Sequence, residues 1–209
     1  MNQIYDYLIM APPILLALTF HEFSHGYVAN RLGDPTAKLM GRLSMNPLVH
    51  LDLLGTAMLF IANIGWAKPV PVNPINFKNP KRDLLWVSLA GPLSNLIQAF
   101  IFGVGLRLIK IINPFSEVTF FVQMIWYGMT INIVLAFFNL LPIPPLDGSK
   151  ILMGLIPIKY EQQLAPLLKY GPTILIALIV IGFITKNSIL WKMIEPFVKF
   201  FSLLFAGVG

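Results

Sequence analysis

The chain has 209 residues, of which 56% are apolar types and 11% charged, with a net charge of +6 and no cysteine. A soluble globular domain carries roughly twice that share of charge, so the composition points to a polytopic membrane protein with room for one compact domain, 1–209, and no added soluble module. Lacking cysteine, it has no disulfide frame, thiolate metal site or thiol nucleophile, and its basic excess reports loop topology rather than nucleic-acid binding.

Asp6 is the only charge before the first apolar segment, and no basic run precedes it. That segment, about 7–30, opens with fourteen uncharged residues and runs into His21-Glu22-Phe23-Ser24-His25. Pro12 and Pro13 predict a kink or a late helix start. In a helix, positions i and i+4 are one turn apart, so both imidazoles project from one face and could hold one Zn²⁺. Glu22 lies about 100° round the axis from His21, near enough to act on a metal-bound water. An H-E-x-x-H also arises on ordinary amphipathic helices, where its polar groups are solvated. Inside a stretch that can cross a bilayer that placement is costly, so function is the expected reading, and the segment is not expected to be a cleaved signal peptide.

Residues 31–52 are polar and read as turns and short extended pieces, given Gly33-Asp34-Pro35, Gly41 and Asn46-Pro47. The fifteen uncharged residues 53–67 are short for a span and predict a re-entrant or half-depth element. Residues 68–83, rich in proline and basic side chains, predict an extended or hairpin-like stretch beside the active site. Residues 84–106 are twenty-three uncharged residues and predict a full span; Arg107, Lys110 and Glu117 bracket the next connection. The uncharged run 118–146 begins as a helix and ends in prolines, 147–169 is polar, and 170–185 predicts a further, short span. In 187–206, Lys192, Glu195 and Lys199 fall at i, i+3 and i+7, which predicts an interfacial amphipathic helix. The fold class is therefore an all-α polytopic membrane protein. It is a bundle of about four to six membrane segments, with a short extended or hairpin re-entrant region between the first and next full spans. Its core is 7–150, with an accessory span and interfacial helix in 170–206.

With 53–67 re-entrant, ten Lys and Arg (31, 38, 42, 68, 78, 81, 82, 150, 159, 169) fall on one side and three (107, 110, 186) on the other. The positive-inside rule then predicts a multi-pass protein of the cell membrane with His21–His25 toward the cytoplasmic side.

A catalytic Zn²⁺ usually takes three protein ligands. The candidates for the third are His50 and Asp52 in the polar loop, Glu117 on the far side, and Asp147. Pro142, Pro144 and Pro145 end the preceding helix, and Gly148 permits a tight turn behind the Asp147 carboxylate. Asp147 reads either as a metal ligand or as the N-cap of a helix from Gly148 onward. Asn95 reads either as a donor to the oxyanion of a tetrahedral intermediate or as an interhelical hydrogen bond; Asn139 stands in the same position. His50 reads as a gate or supporting group, or as a solvated loop histidine.

His21–His25, Asn139-x-x-Pro142-x-Pro144-x-x-Asp147-Gly148, and Gly91-Pro92-x-x-Asn95 between them together resemble the motifs of the site-2 protease family of intramembrane zinc metalloproteases. The resemblance covers about 21–150 and is to a minimal form, without a PDZ or CBS domain. It implies His21, His25 and Asp147 as ligands of one zinc ion per chain and Glu22 as the catalytic base. It also implies transmembrane protein substrates, cut near the cytoplasmic face within the lipid bilayer. An exposed strand in 68–76 or 38–46 would capture the unwound substrate backbone. A gating partner or a homo-oligomer stays open. The alternatives are a membrane metal transporter, against which stand the lack of a repeat and the presence of Glu22, and an inactive helix-binding scaffold, against which stands the same glutamate.

Overall fold

The computed structural model describes residues 3–62, 65–112 and 119–207. Its helices are α1 (Gln3–Arg31), α2 (Thr36–Leu39), α3 (Leu53–Ala62), α4 (Pro80–Ile112), α5 (Phe120–Asn139), α6 (Asp147–Leu155), α7 (Ala165–Thr185) and α8 (Ile189–Ala206). No strand occurs among the described residues. Among the described residues, four helical stretches are long and apolar enough to cross a membrane: Tyr5–Arg31, Pro80–Ile112, Phe120–Asn139 and Ile158–Thr185. The protein is thus an all-α multi-pass membrane protein, as its runs of uncharged residues predict. With ten residues, α3 rises about 15 Å, half the ~30 Å hydrocarbon core. Pro12 and Pro13 lie inside α1, which starts at Gln3, so the prolines do not delay the helix.

The bundle is built on α4, against which α1, α5, α6 and α8 all pack. Ala99, Met129, Ile133 and Ala206 form the contact between α4, α5 and α8. Small residues let the backbones approach, the usual route to tight packing where lipid removes the hydrophobic drive. The helix expected to be interfacial, α8, packs on α4 and α5. Phe137 stacks on Phe197 at 4.4 Å and meets Phe201, Phe205 lies against Gly103, and the Arg107 guanidinium donates to Leu204 O at 2.6 Å. Thus α8 runs antiparallel along α5, with Lys192 and Lys199 exposed and Lys199 paired to Glu195 at 2.8 Å.

This packing also fixes the ends of α7. Before it, Glu161 pairs with Lys81 at the start of α4 (2.5 Å). Within it, Gly171 lies against Pro144. Beyond it, Leu190 of α8 joins Leu141, Leu146 and Leu175 in one apolar cluster. The stretch that contains α7, Ile158–Thr185, is long and apolar enough to cross a membrane, as the uncharged run 170–185 predicts.

Between α1 and α4 the chain folds back over the bundle end. Leu51 and Ala67 make an isolated antiparallel bridge, Lys68 N–H donates to His50 O at 2.8 Å, and Arg42 donates to Lys68 O at 2.7 Å. Of the stretch 68–83 expected to be extended, 68–73 is free of helix, a 3-10 turn follows at Pro74–Asn76 and α4 begins at Pro80. The alternative edge, 38–46, is taken up by α2 and turns, with Gly41 at φ 67°. Asp34 organises this region. Fully buried, it accepts hydrogen bonds from Thr36 N (3.1 Å), Thr36 Oγ1 (2.5 Å), Asn73 N (2.7 Å) and Asn76 Nδ2 (2.6 Å).

Burial alone would raise the Asp34 pKa, but the donors, led by the Thr36 hydroxyl and Asn76, outweigh it and hold the carboxyl below its ordinary value. A depressed folded-state pKa contributes stability that is complete above the unfolded value of about 4 and is lost as pH falls through the folded one. Replacing Asp34 by Ala should cost about 2 kcal/mol or more at neutral pH by orphaning these donors. Thermal melts against pH should show that gap narrowing below about pH 4.

Candidate metal centre

The two imidazoles of α1 face α4, and their outer ring nitrogens are held there. His25 Nδ1 lies 2.7 Å from Val87 O. A carbonyl can only accept, so Nδ1 carries the proton and Nε2 presents a lone pair. His21 Nδ1 lies 2.6 Å from Asn95 Oδ1. The amide orientation follows from a chain anchored on backbone carbonyls: Asn132 Nδ2 donates to Gly128 O (2.8 Å), and Asn95 Nδ2 donates to Asn132 Oδ1 (2.8 Å) and to Ala17 O (3.1 Å). Asn95 Oδ1 is therefore an acceptor, His21 Nδ1 donates to it, and His21 Nε2 also presents a lone pair.

Asp147 meets these two nitrogens from the other side. Three prolines stop α5 and turn the chain, and a Cβ on Gly148 would collide with the carbonyls of Leu140 and Leu141, so the turn needs glycine there. The N-cap position of α6 belongs to Leu146, which makes no side-chain cap; Asp147 is the first helical residue. Its Oδ2 lies 3.2 Å from His21 Nε2 and 3.1 Å from His25 Nε2, while the two Nε2 atoms are 3.0 Å apart. All three side chains are buried. Three lone-pair donors so close, out of water, repel one another unless a cation lies among them. Zinc–ligand bonds of about 2.0–2.1 Å at the tetrahedral angle space ligands by about 3.3–3.4 Å, close to this triangle. The donor set of two neutral imidazoles and one carboxylate suits zinc. Gly91 backs the site: a Cβ there would fall on His25 Nε2 and the His21 ring. Glu22, also buried, does not join the triangle; its Oε2 accepts from Val70 N–H at 2.8 Å.

The other sequence candidates fall elsewhere. Asp52 caps α3 through Gly55 N–H (2.7 Å). His50 is neither solvated nor near the triangle's ligand atoms; it is buried, with its Nε2 2.7 Å from Ser44 O. Glu117 lies outside the described residues. Asn139 donates to Leu135 O of its own helix (3.0 Å). Of the two readings of Asn95, the geometry realises the interhelical one. Both of its N–H groups are engaged and its oxygen is on His21, so it has no donor for an oxyanion. Asn132 escaped the sequence reading, although an amide in the uncharged run 118–146 is the kind of residue that signals a buried polar contact. The Val87 carbonyl and the Val70 N–H carry no side-chain signature at all.

The model of peptidase family M50 matches residues 106–182. The chain is 38% identical to YwhC of Bacillus subtilis (strain 168), over 95% of this chain and 92% of that protein. It is 32% identical to Rip2 of Mycobacterium tuberculosis (strain ATCC 25618 / H37Rv), over 78% of this chain and 63% of the other. It is 25% identical to MJ0392 of Methanocaldococcus jannaschii, over 96% of this chain and 50% of the other. The words zinc metalloprotease stand in all three names. No solved structure matches the chain. A relative this similar over nearly its whole length carries the family with it: the chain belongs to peptidase family M50, the site-2 protease family, and is a zinc metalloprotease.

Proposed function

We propose that the protein is an intramembrane zinc endopeptidase, a single domain that cuts transmembrane proteins in or near their membrane segments. The observation that carries this reading is the buried triangle of His21, His25 and Asp147 on helices long and apolar enough to span a bilayer. These three residues would hold one zinc ion per chain. When bound, zinc supplies a Lewis acid that polarises a carbonyl and brings the pKa of water near neutrality. Glu22 takes the proton from the attacking water and returns it to the leaving amine. Asn95 and the Val87 carbonyl fix the tautomers of His21 and His25, so both present Nε2 to the metal. Burial of the site beside α4 excludes bulk water and strengthens each of these interactions.

The site faces the cytoplasm. With 53–67 re-entrant, ten Lys and Arg are assigned by the order of the spans to the side of the triangle, and Lys186 to the other. Arg107 and Lys110 lie toward the opposite end. This asymmetry is the one the positive-inside rule describes.

In cleavage of a helix-destabilised single-span substrate by purified protein, Glu22→Gln should keep its zinc and lose about a hundred- to ten-thousandfold in kcat. A Glu22→Gln variant that cuts at the wild-type rate removes the base role and, with it, the proposed mechanism. Asn95→Ala should weaken zinc binding by about ten- to a hundredfold; competition with a chromogenic chelator measures it, and unaltered affinity removes Asn95 from the support of His21.

A further inference from the structure

Glu22 is held from outside its own helix. The extended stretch 65–73 crosses α1 as a strap pinned at several points: Lys68 N–H on His50 O (2.8 Å), Arg42 on Lys68 O (2.7 Å), and Asn73 N–H on the Asp34 carboxylate (2.7 Å). Between these pins, Val70 N–H donates to Glu22 Oε2 at 2.8 Å. The Val70 side chain is buried and lies over α1 so closely that a Cβ on Gly26 would come 3.2 Å from its Cγ1. Pro69 and Pro71 flank it. Neither has an N–H, so in the run 69–71 the Val70 amide is the only backbone donor, and it is aimed at Glu22.

A buried glutamate has three side-chain torsions and no fixed aim of its own. A donor anchored on another segment removes that freedom at one oxygen and leaves the other to exchange protons. We infer that the backbone N–H of Val70 is a positioning donor for Glu22, and that the strap 68–73 serves to deliver it. The inference rests on the reading of Glu22 as the base. It accounts for the prolines: they stiffen the strap and withhold competing donors. A contact that merely fastened the strap to α1 would serve equally well through the Val70 side chain on Gly26.

Two substitutions separate these roles in the full chain. Val70→Pro removes the N–H and keeps much of the bulk; Val70→Ala removes the packing on Gly26 and keeps the N–H. With zinc content matched, kcat of Val70→Pro should lie about thirtyfold or more below that of Val70→Ala, with KM within about twofold, as for a misaimed catalytic group. Equal kcat values overturn the inference. Amide hydrogen exchange at Val70, wild type against Glu22→Ala, gives a readout that needs no substrate. The amide should exchange about tenfold faster or more in the variant, as for loss of a bond to a charged acceptor, while that of Lys68, bonded to His50, keeps its rate. Unaltered exchange at Val70 overturns the inference, and this comparison decides alone if Val70→Pro does not retain zinc. Glu22→Gln separates the two levels. If it still cuts, the base assignment fails; if it is inactive while Val70→Pro matches Val70→Ala, only the positioning inference fails.

Discussion

Two imidazole lone pairs and a carboxylate oxygen meet within 3.0–3.2 Å in a buried site of a membrane protein. The arrangement is favourable only around a cation, and much of the rest of the molecule serves to impose it. The pair on α1 comes from helical spacing alone. Their aim comes from α4 and α5, through the Val87 carbonyl and the chain from His21 through Asn95 and Asn132 to the Gly128 carbonyl. Their third partner needs a broken helix: prolines at 142, 144 and 145 and a glycine at 148 bring Asp147 back to the level of α1. Gly91 keeps the wall of α4 thin enough for both rings.

Around this triangle the protein divides its polar groups by task. Asn95 and Asn132 sit deep and spend every hydrogen bond on orientation. Asp34 and Arg42 sit at the bundle end and pin the strap that reaches Glu22. The carboxylates of Glu22 and Asp147 therefore belong to different supporting structures, the strap for one and the proline turn for the other. A change in the strap can move Glu22 without moving the triangle.

Much of this was legible in the residues. H-E-x-x-H has a spacing that only a helix turns into a pair, and a proline cluster before Asp147-Gly148 marks a span that stops where an acid is wanted. The membrane segments follow from uncharged runs, because hydropathy reports length and polarity. It does not report packing, which is why the contacts of α8 with α4 and α5 could not be read from it. The packing of Phe197, Phe201 and Phe205 on Phe137 and Gly103 sets α8 along the bundle. The dual reading of Asn95 could not be decided from sequence, since an amide in a span has the same signature whether it faces substrate or another helix. His50 sits in a polar loop and is nonetheless buried, because the loop folds on itself through Arg42 and Lys68. Backbone groups such as Val87 O and Val70 N–H lie beyond any reading of side chains.

The zinc K-edge X-ray absorption spectrum of the purified protein tests the central claim most directly. The expected result is one zinc per chain with two imidazole nitrogens at about 2.0–2.1 Å and oxygen in the remaining positions, and loss of one oxygen scatterer or of the metal in Asp147→Ala. A shell with one imidazole or three, or a spectrum unchanged by removing Asp147, would contradict it.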